Sequence, residues 1–109
     1  MTFDEYQHES RKTAIYPAIE KGFVYPVLGL ASEAGELSNK VKKIFRDDGG
    51  IISETKRQDI EKELGDVLWY AAQIATEFEF SLDEIAQANL DKLFSRMERN
   101  TLHGDGDNR

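Results

Sequence analysis

A chain of 109 residues and 12.4 kDa has room for one hydrophobic core, so a single domain over residues 1–109 is expected. Its 39% hydrophobic content is enough to fold it, the absence of cysteine excludes disulfides and thiolate metal sites, and 14 basic against 21 acidic residues, a formal charge of −7, argue against a surface for duplex nucleic acid. The longest uncharged run, Gly22 to Ser32, contains Pro26 and is too short for a membrane span, and no signal-peptide pattern is present, so a cytoplasmic protein without membrane contact is expected.

Only two prolines occur, Pro17 and Pro26, so long helices are allowed beyond them. No stretch alternates apolar and polar residues for long and Asn-Gly turns are absent, which makes the reading all-α. A first helix is predicted behind Thr2, with Glu5 completing a capping box, and should end before Pro17. A second runs from about Pro26, a favourable first-turn residue, to about Arg46, where Asp47, Asp48, Gly49 and Gly50 supply a stop. The third begins between Ser53 and Asp59 and carries its pattern to Phe78. The fourth starts behind Ser81, with Glu84 in a second capping box. Residues 102–109 have glycines and no apolar period, and read as a loop-like tail.

Helical wheels at about 100° per residue locate the chemistry. Leu30, Ala34, Leu37, Val41 and Ile44 form one apolar stripe, and Ile60, Leu64, Val67, Ala71 and Ile74 form a matching one. Glu33 and Glu36 lie roughly 60° and 120° from Leu30, and Glu63 and Asp66 take the same angles from Ile60. If the short connection makes these two helices antiparallel, four carboxylates border one pocket. Like charges so close must protonate or bind a cation, and hard oxygens without imidazole or thiolate select Mg²⁺, Mn²⁺ or Ca²⁺, of which Mg²⁺ is the expected cellular ion and Mn²⁺ its substitute. His8 and His103 have no helix-spaced partners and read as surface residues, which also argues against a di-iron bundle.

Gly35 and Gly65 sit between the paired acids, in helix interiors where each costs about 1 kcal/mol relative to alanine. With Trp69, Ala72 and Thr76, Gly65 makes a second, small-residue face opposite the core stripe. That face is expected to pack on another copy, giving a four-helix bundle-like domain with antiparallel central helices, assembled as a homo-oligomer.

The segment Gly29-Leu-Ala-Ser-Glu-Ala-Gly-Glu-Leu37, followed by Glu63-Leu-Gly-Asp-Val-Leu-Trp-Tyr70, resembles the MazG-like branch of the all-α nucleoside triphosphate pyrophosphohydrolases. The family pattern of Glu-x-x-Glu, a spacer and Glu-x-x-Asp maps onto Glu33, Glu36, Glu63 and Asp66. Many members carry two adjacent glutamates where this chain has Ser32 before Glu33. The resemblance implies Mg²⁺-dependent hydrolysis of a nucleoside triphosphate, often a deoxy or non-standard one, to the monophosphate and pyrophosphate, in keeping with nucleotide-pool house-cleaning. It implies that the four acids hold the metal and carry the catalysis, and that the chain assembles as a dimer or a dimer of dimers. Phosphoribosyl-ATP pyrophosphohydrolase and a non-catalytic, metal-binding regulatory module are the alternatives.

The substrate needs further contacts. Asn89, Lys92 and Arg96 share one face of the fourth helix, and the resemblance implies phosphate contacts at Asn89 and Lys92. Lys40 and Lys43 share the flank of Glu33 and Glu36, where they would meet phosphate or pair with Glu36. For the base, Phe3, Tyr6, Tyr25, Phe45 and Tyr70 are the available aromatic rings, and nothing in the sequence chooses among them.

Overall fold

Three serine or threonine hydroxyls decide where helices start in the computed structural model, which describes residues 1–109. Thr2 Oγ1 accepts from the Glu5 backbone N–H at 3.0 Å and opens α1, Phe3–Ser10. Ser53 Oγ accepts from Lys56 at 3.2 Å and opens α3, Glu54–Glu77; Ser81 Oγ accepts from Glu84 at 3.2 Å and opens α4, Leu82–Glu98. Between them α2, Val24–Asp48, has no side-chain cap and carries Pro26 in its first turn. It ends at Gly49, which at φ +61° turns left-handed, and the N–H groups of Gly49 and Gly50 both donate to Ile44. The regular structure is entirely helical, with four α-helices and no strand. No helix is long and apolar enough to cross a membrane.

The first helix is shorter than its sequence pattern predicts. It stops at Ser10 and passes through a 3-10 turn, Arg11–Thr13, into an irregular segment up to residue 23. Ser10 Oγ donates to the Gln7 carbonyl at 2.9 Å and Thr13 Oγ1 to the Ser10 carbonyl at 2.9 Å, offering the backbone an alternative to helix. Ser10 Oγ also accepts from the fully buried Gln73 Nε2 at 2.8 Å, so a residue on α3 sets where α1 ends.

α2 lies along α3, and α1 crosses α3 and meets α4. The buried core is small: Ala72, Ala75 and Leu82, with Tyr6 of α1 packed against them, and Ile44 apart on α2. Gln7 fastens α1 to the corner between α3 and α4, since its Nε2 donates to Thr76 Oγ1 and the Phe80 carbonyl while its Oε1 accepts from the Leu82 N–H. Asp4 adds to this by accepting from Ser81 Oγ at 2.9 Å and from the Asp83 N–H at 3.1 Å.

This packing corrects the assignment of the second face of α3 to another copy. Ala72 is completely buried, Thr76 bonds to Gln7, and Trp69 Nε1–H donates to Thr13 Oγ1 at 2.9 Å. The chain's own N-terminal segment covers all three, a role the sequence pattern could not assign because α1 has only a thin apolar edge. Gly65 and Gly35 remain open: a Cβ built at either meets nothing within 4 Å.

Candidate functional site

The acids predicted from the wheels come from the facing lengths of α2 and α3. Ligand oxygens of Glu33, Glu63 and Asp66 all lie within 4.8 Å of one another. Glu33 and Glu63 are half-buried and Asp66 is exposed. Glu36, the fourth predicted ligand, is exposed and stands outside this group, about a further 60° around α2 from Glu33.

The electrostatics of the cluster are those of crowded like charges. Burial pushes the Glu33 carboxyl up, and its hydrogen bond with Glu63 and the charges of Asp66, Glu63 and Glu36 add to the shift. Lys40 Nζ stands 3.6 Å from Glu63 Oε1, while Glu63 Oε2 is buried with no hydrogen-bond partner. An orphaned carboxylate oxygen beside two further carboxylates, without histidine or cysteine, is a donor set that fits a hard divalent cation.

Beside the acids lies a cleft of about 410 Å³ lined by Tyr25, Leu28, Gly29, Ser32, Glu33 and Tyr70, with Ile19 at its edge. Gly29 allows this arrangement. A Cβ there would stand 2.2 Å from the Tyr70 ring, so only glycine lets Tyr70 lie directly on the α2 backbone. Burial raises the Tyr70 phenol, and the neighbouring Tyr25, Glu33 and Asp66 raise it further. Tyr25 is stacked on Tyr16 at 5.4 Å, and Trp69 stands edge-on to both Tyr16 and Tyr70.

Tyr16 is a support the sequence reading missed. Its hydroxyl donates to Glu77 Oε1 at 2.5 Å, Arg11 donates to the same oxygen at 3.0 Å, and Arg11 also reaches Tyr16 and Gln73. The signal was present only as Arg11 and Tyr16 ahead of Pro17, with no spacing to tie them to Glu77. A larger concavity of about 480 Å³ at the corner of α1, α3 and α4 is lined by groups already committed to this docking, Asp4, Gln7 and Arg11 among them.

The predicted phosphate contacts are not gathered at the acids within one chain. Asn89 and Lys92 are exposed on α4, whose packing is chiefly on α1. Arg96 is 3% exposed and donates to the Asp107 carbonyl, which ties it to the tail. Lys43 is exposed and its charge acts on Asp47; Lys40 is the lysine of α2 that reaches the cluster.

Residues 26–100, which contain the acids, most of the cleft lining and α4, match the MazG nucleotide pyrophosphohydrolase domain. The chain belongs to this family. At the level of the family it is therefore a pyrophosphohydrolase, and the MazG assignment agrees with an all-helical fold and with divalent-metal dependence. The chain is also similar to the gene 37 protein of Mycobacterium phage L5, with 46% identity over 114 residues covering 100% of each chain. No solved structure matches it.

Proposed function

We propose that this MazG domain hydrolyses nucleoside or deoxynucleoside triphosphates to the monophosphate and pyrophosphate with Mg²⁺, as a house-cleaning enzyme of the nucleotide pool. The observation that carries the reading is the convergence of Glu33, Glu63 and Asp66, together with the buried, unpartnered Glu63 Oε2. These three would hold the metal, and Glu36, exposed and free to change rotamer one turn away on α2, would complete the set. When bound, the cation supplies a Lewis acid that draws charge from the phosphate oxygens.

The chain's own groups account for the rest. Water adds its oxygen to phosphorus as the α–β anhydride bond breaks, pyrophosphate leaves, and a carboxylate of the cluster takes the proton. The Tyr25 and Tyr70 rings beside Glu33 give the nucleoside end an aromatic wall next to the acids. Contacts of Gly29 with Tyr70 and of Lys40 with Glu63 support an antiparallel α2–α3 pair that aims both ends of the cleft at the same substrate. Asn89 and Lys92 would reach the phosphates from a second copy in a homodimer or a dimer of dimers, and the exposed apolar side of α4 supports such assembly.

The test is pyrophosphate release across canonical and modified nucleoside triphosphates and phosphoribosyl-ATP, with and without Mg²⁺. Turnover of triphosphates that stops with chelator is the expected result. Turnover confined to phosphoribosyl-ATP, or Mg²⁺ binding with no turnover at all, would overturn it.

A further inference from the structure

The acid cluster already contains a cation of its own. Lys40 Nζ lies 3.6 Å from Glu63 Oε1, with the lysine side chain 33% and the glutamate side chain 16% exposed. The pair is shielded enough to matter, yet the separation is longer than a hydrogen bond, so the ammonium is held by charge and not by fixed geometry. A lysine ammonium is a compact point charge on a flexible stem, unlike the rigid fork of arginine. Its partner Glu63 is one of three clustered carboxylates, and no other ion pair touches the group. One monovalent charge stands against three carboxylates, so the cluster is underneutralised.

We propose that Lys40 is the resident counter-cation of the cluster, competing with the divalent ion for Glu63, and that the ammonium displaced by the ion turns to the phosphates of the substrate. The inference rests on the reading of Glu33, Glu63 and Asp66 as cation ligands. Displacement follows from charge: with the ammonium at Glu63 Oε1 and a divalent ion at the unpartnered Oε2, two cations flank one carboxylate and repel each other. The exposed third of the side chain leaves Lys40 room to swing outward, along the flank of α2 that carries the acids. Lys40 therefore couples metal loading to the creation of a phosphate contact.

The two halves of the proposal have separate readouts. Calorimetric titration with Mn²⁺ at low salt, using the full chain, compares the wild type with Lys40→Met and Lys40→Arg. Removing one competing charge should tighten Mn²⁺ binding by roughly twofold to tenfold in Lys40→Met, and Lys40→Arg, which keeps the charge, should not tighten it. A merely structural ion pair predicts the opposite sign for Lys40→Met, since loosening the site weakens its ligands. With Mn²⁺ saturating, a non-hydrolysable α,β-methylene nucleoside triphosphate should bind Lys40→Met several-fold more weakly than wild type. Unchanged or weaker Mn²⁺ binding in Lys40→Met would overturn the competition, and unchanged analogue binding would overturn the handover. Absence of Mn²⁺ binding by the wild type would instead sink the cation site itself. Lys40→Gln provides the same comparison should the methionine variant fail to fold.

Discussion

Glu33 carries the tension between stability and chemistry in a single side chain. Its folded-state carboxyl is raised, by burial first and then by its bond to Glu63 and the surrounding acids. The stability it contributes is complete below the ordinary carboxyl value and is lost as pH rises through the raised one, so at neutral pH the ionised group works against the fold. Glu33→Gln should therefore raise the melting temperature at pH 7 in the presence of chelator. Added Mg²⁺ should raise that of the wild type and leave the variant nearly unmoved; scanning calorimetry with and without metal checks both. Turnover should move the other way. Alanine at Glu33, Glu36, Glu63 or Asp66 should lower kcat/KM at least about a hundredfold, because loss of metal stabilisation at the phosphoryl group removes several kcal/mol. Initial rates with a preferred triphosphate measure it, and near-normal turnover in two of the four would remove the assignment.

At the scale of elements, α1 and the segment after it are tied to α3 by polar bonds. Glu77 accepts from both Tyr16 and Arg11, and its carboxyl is lowered by the Tyr16 bond first and by Arg11 with it. A lowered carboxyl contributes stability that is present above its unfolded value and lost as pH falls through the folded one. The docking of residues 11–16, which follow α1, should loosen on acidification below the ordinary carboxyl range, seen as smaller amide protection factors at those residues, and Glu77→Gln should flatten that acid limb. Gly29→Ala tests the opposite contact, between α2 and α3. With Tyr70 already where the new methyl would go, overpacking of about 1 to 3 kcal/mol is expected, together with a higher KM as the ring is pushed from the cleft. Thermal melts and steady-state kinetics on the same variant separate the two effects.

These elements also show which features a sequence can display. The starts at Thr2 and Ser81 were legible because a cap and its glutamate lie three residues apart, whereas Ser53, followed at that spacing by Lys56, marked only one end of a range. The acids were legible because helical phase alone puts Glu33 and Glu63 on facing flanks. The end of α1 was not, since Gln73 decides it from far along the chain. Nor was the choice of Lys40 over Lys43, because both share a flank and only the register of α3 decides which one meets Glu63. Trp69 misled in the same way: its partner Thr13 lies in a segment with no period to read.

The whole molecule is more extended than one compact domain of its length. Its radius of gyration is 16.9 Å, against about 13 Å for a compact domain of this length. Phe94 and Met97 on α4 are more than half exposed, and so is Leu64 on the predicted core stripe of α3. Light scattering at micromolar concentration should therefore give a dimer or tetramer; a monomer would refute the assembly. If the second copy supplies Lys92 to the acids of the first, mixing inactive Glu63→Ala chains with Lys92→Ala chains should restore up to about a quarter of the sites, read below the KM of the wild type. No recovery after exchange of subunits would place Lys92 elsewhere.

The latch of α1 on the far corner has a consequence in time. Gln7 and Thr76 are separated by 69 residues in sequence and Asp4 and Ser81 by 77, whereas α2 and α3 are joined by a short connection. The nearer pair can form before the distant one, because closing the longer loop carries the larger entropic penalty. The N-terminal helix should then be the last to arrive during folding and the first to leave. Trp69, the one tryptophan, sits where it docks and bonds to Thr13. Its fluorescence should follow that late step alone, trailing the rise of helical ellipticity in a stopped-flow experiment.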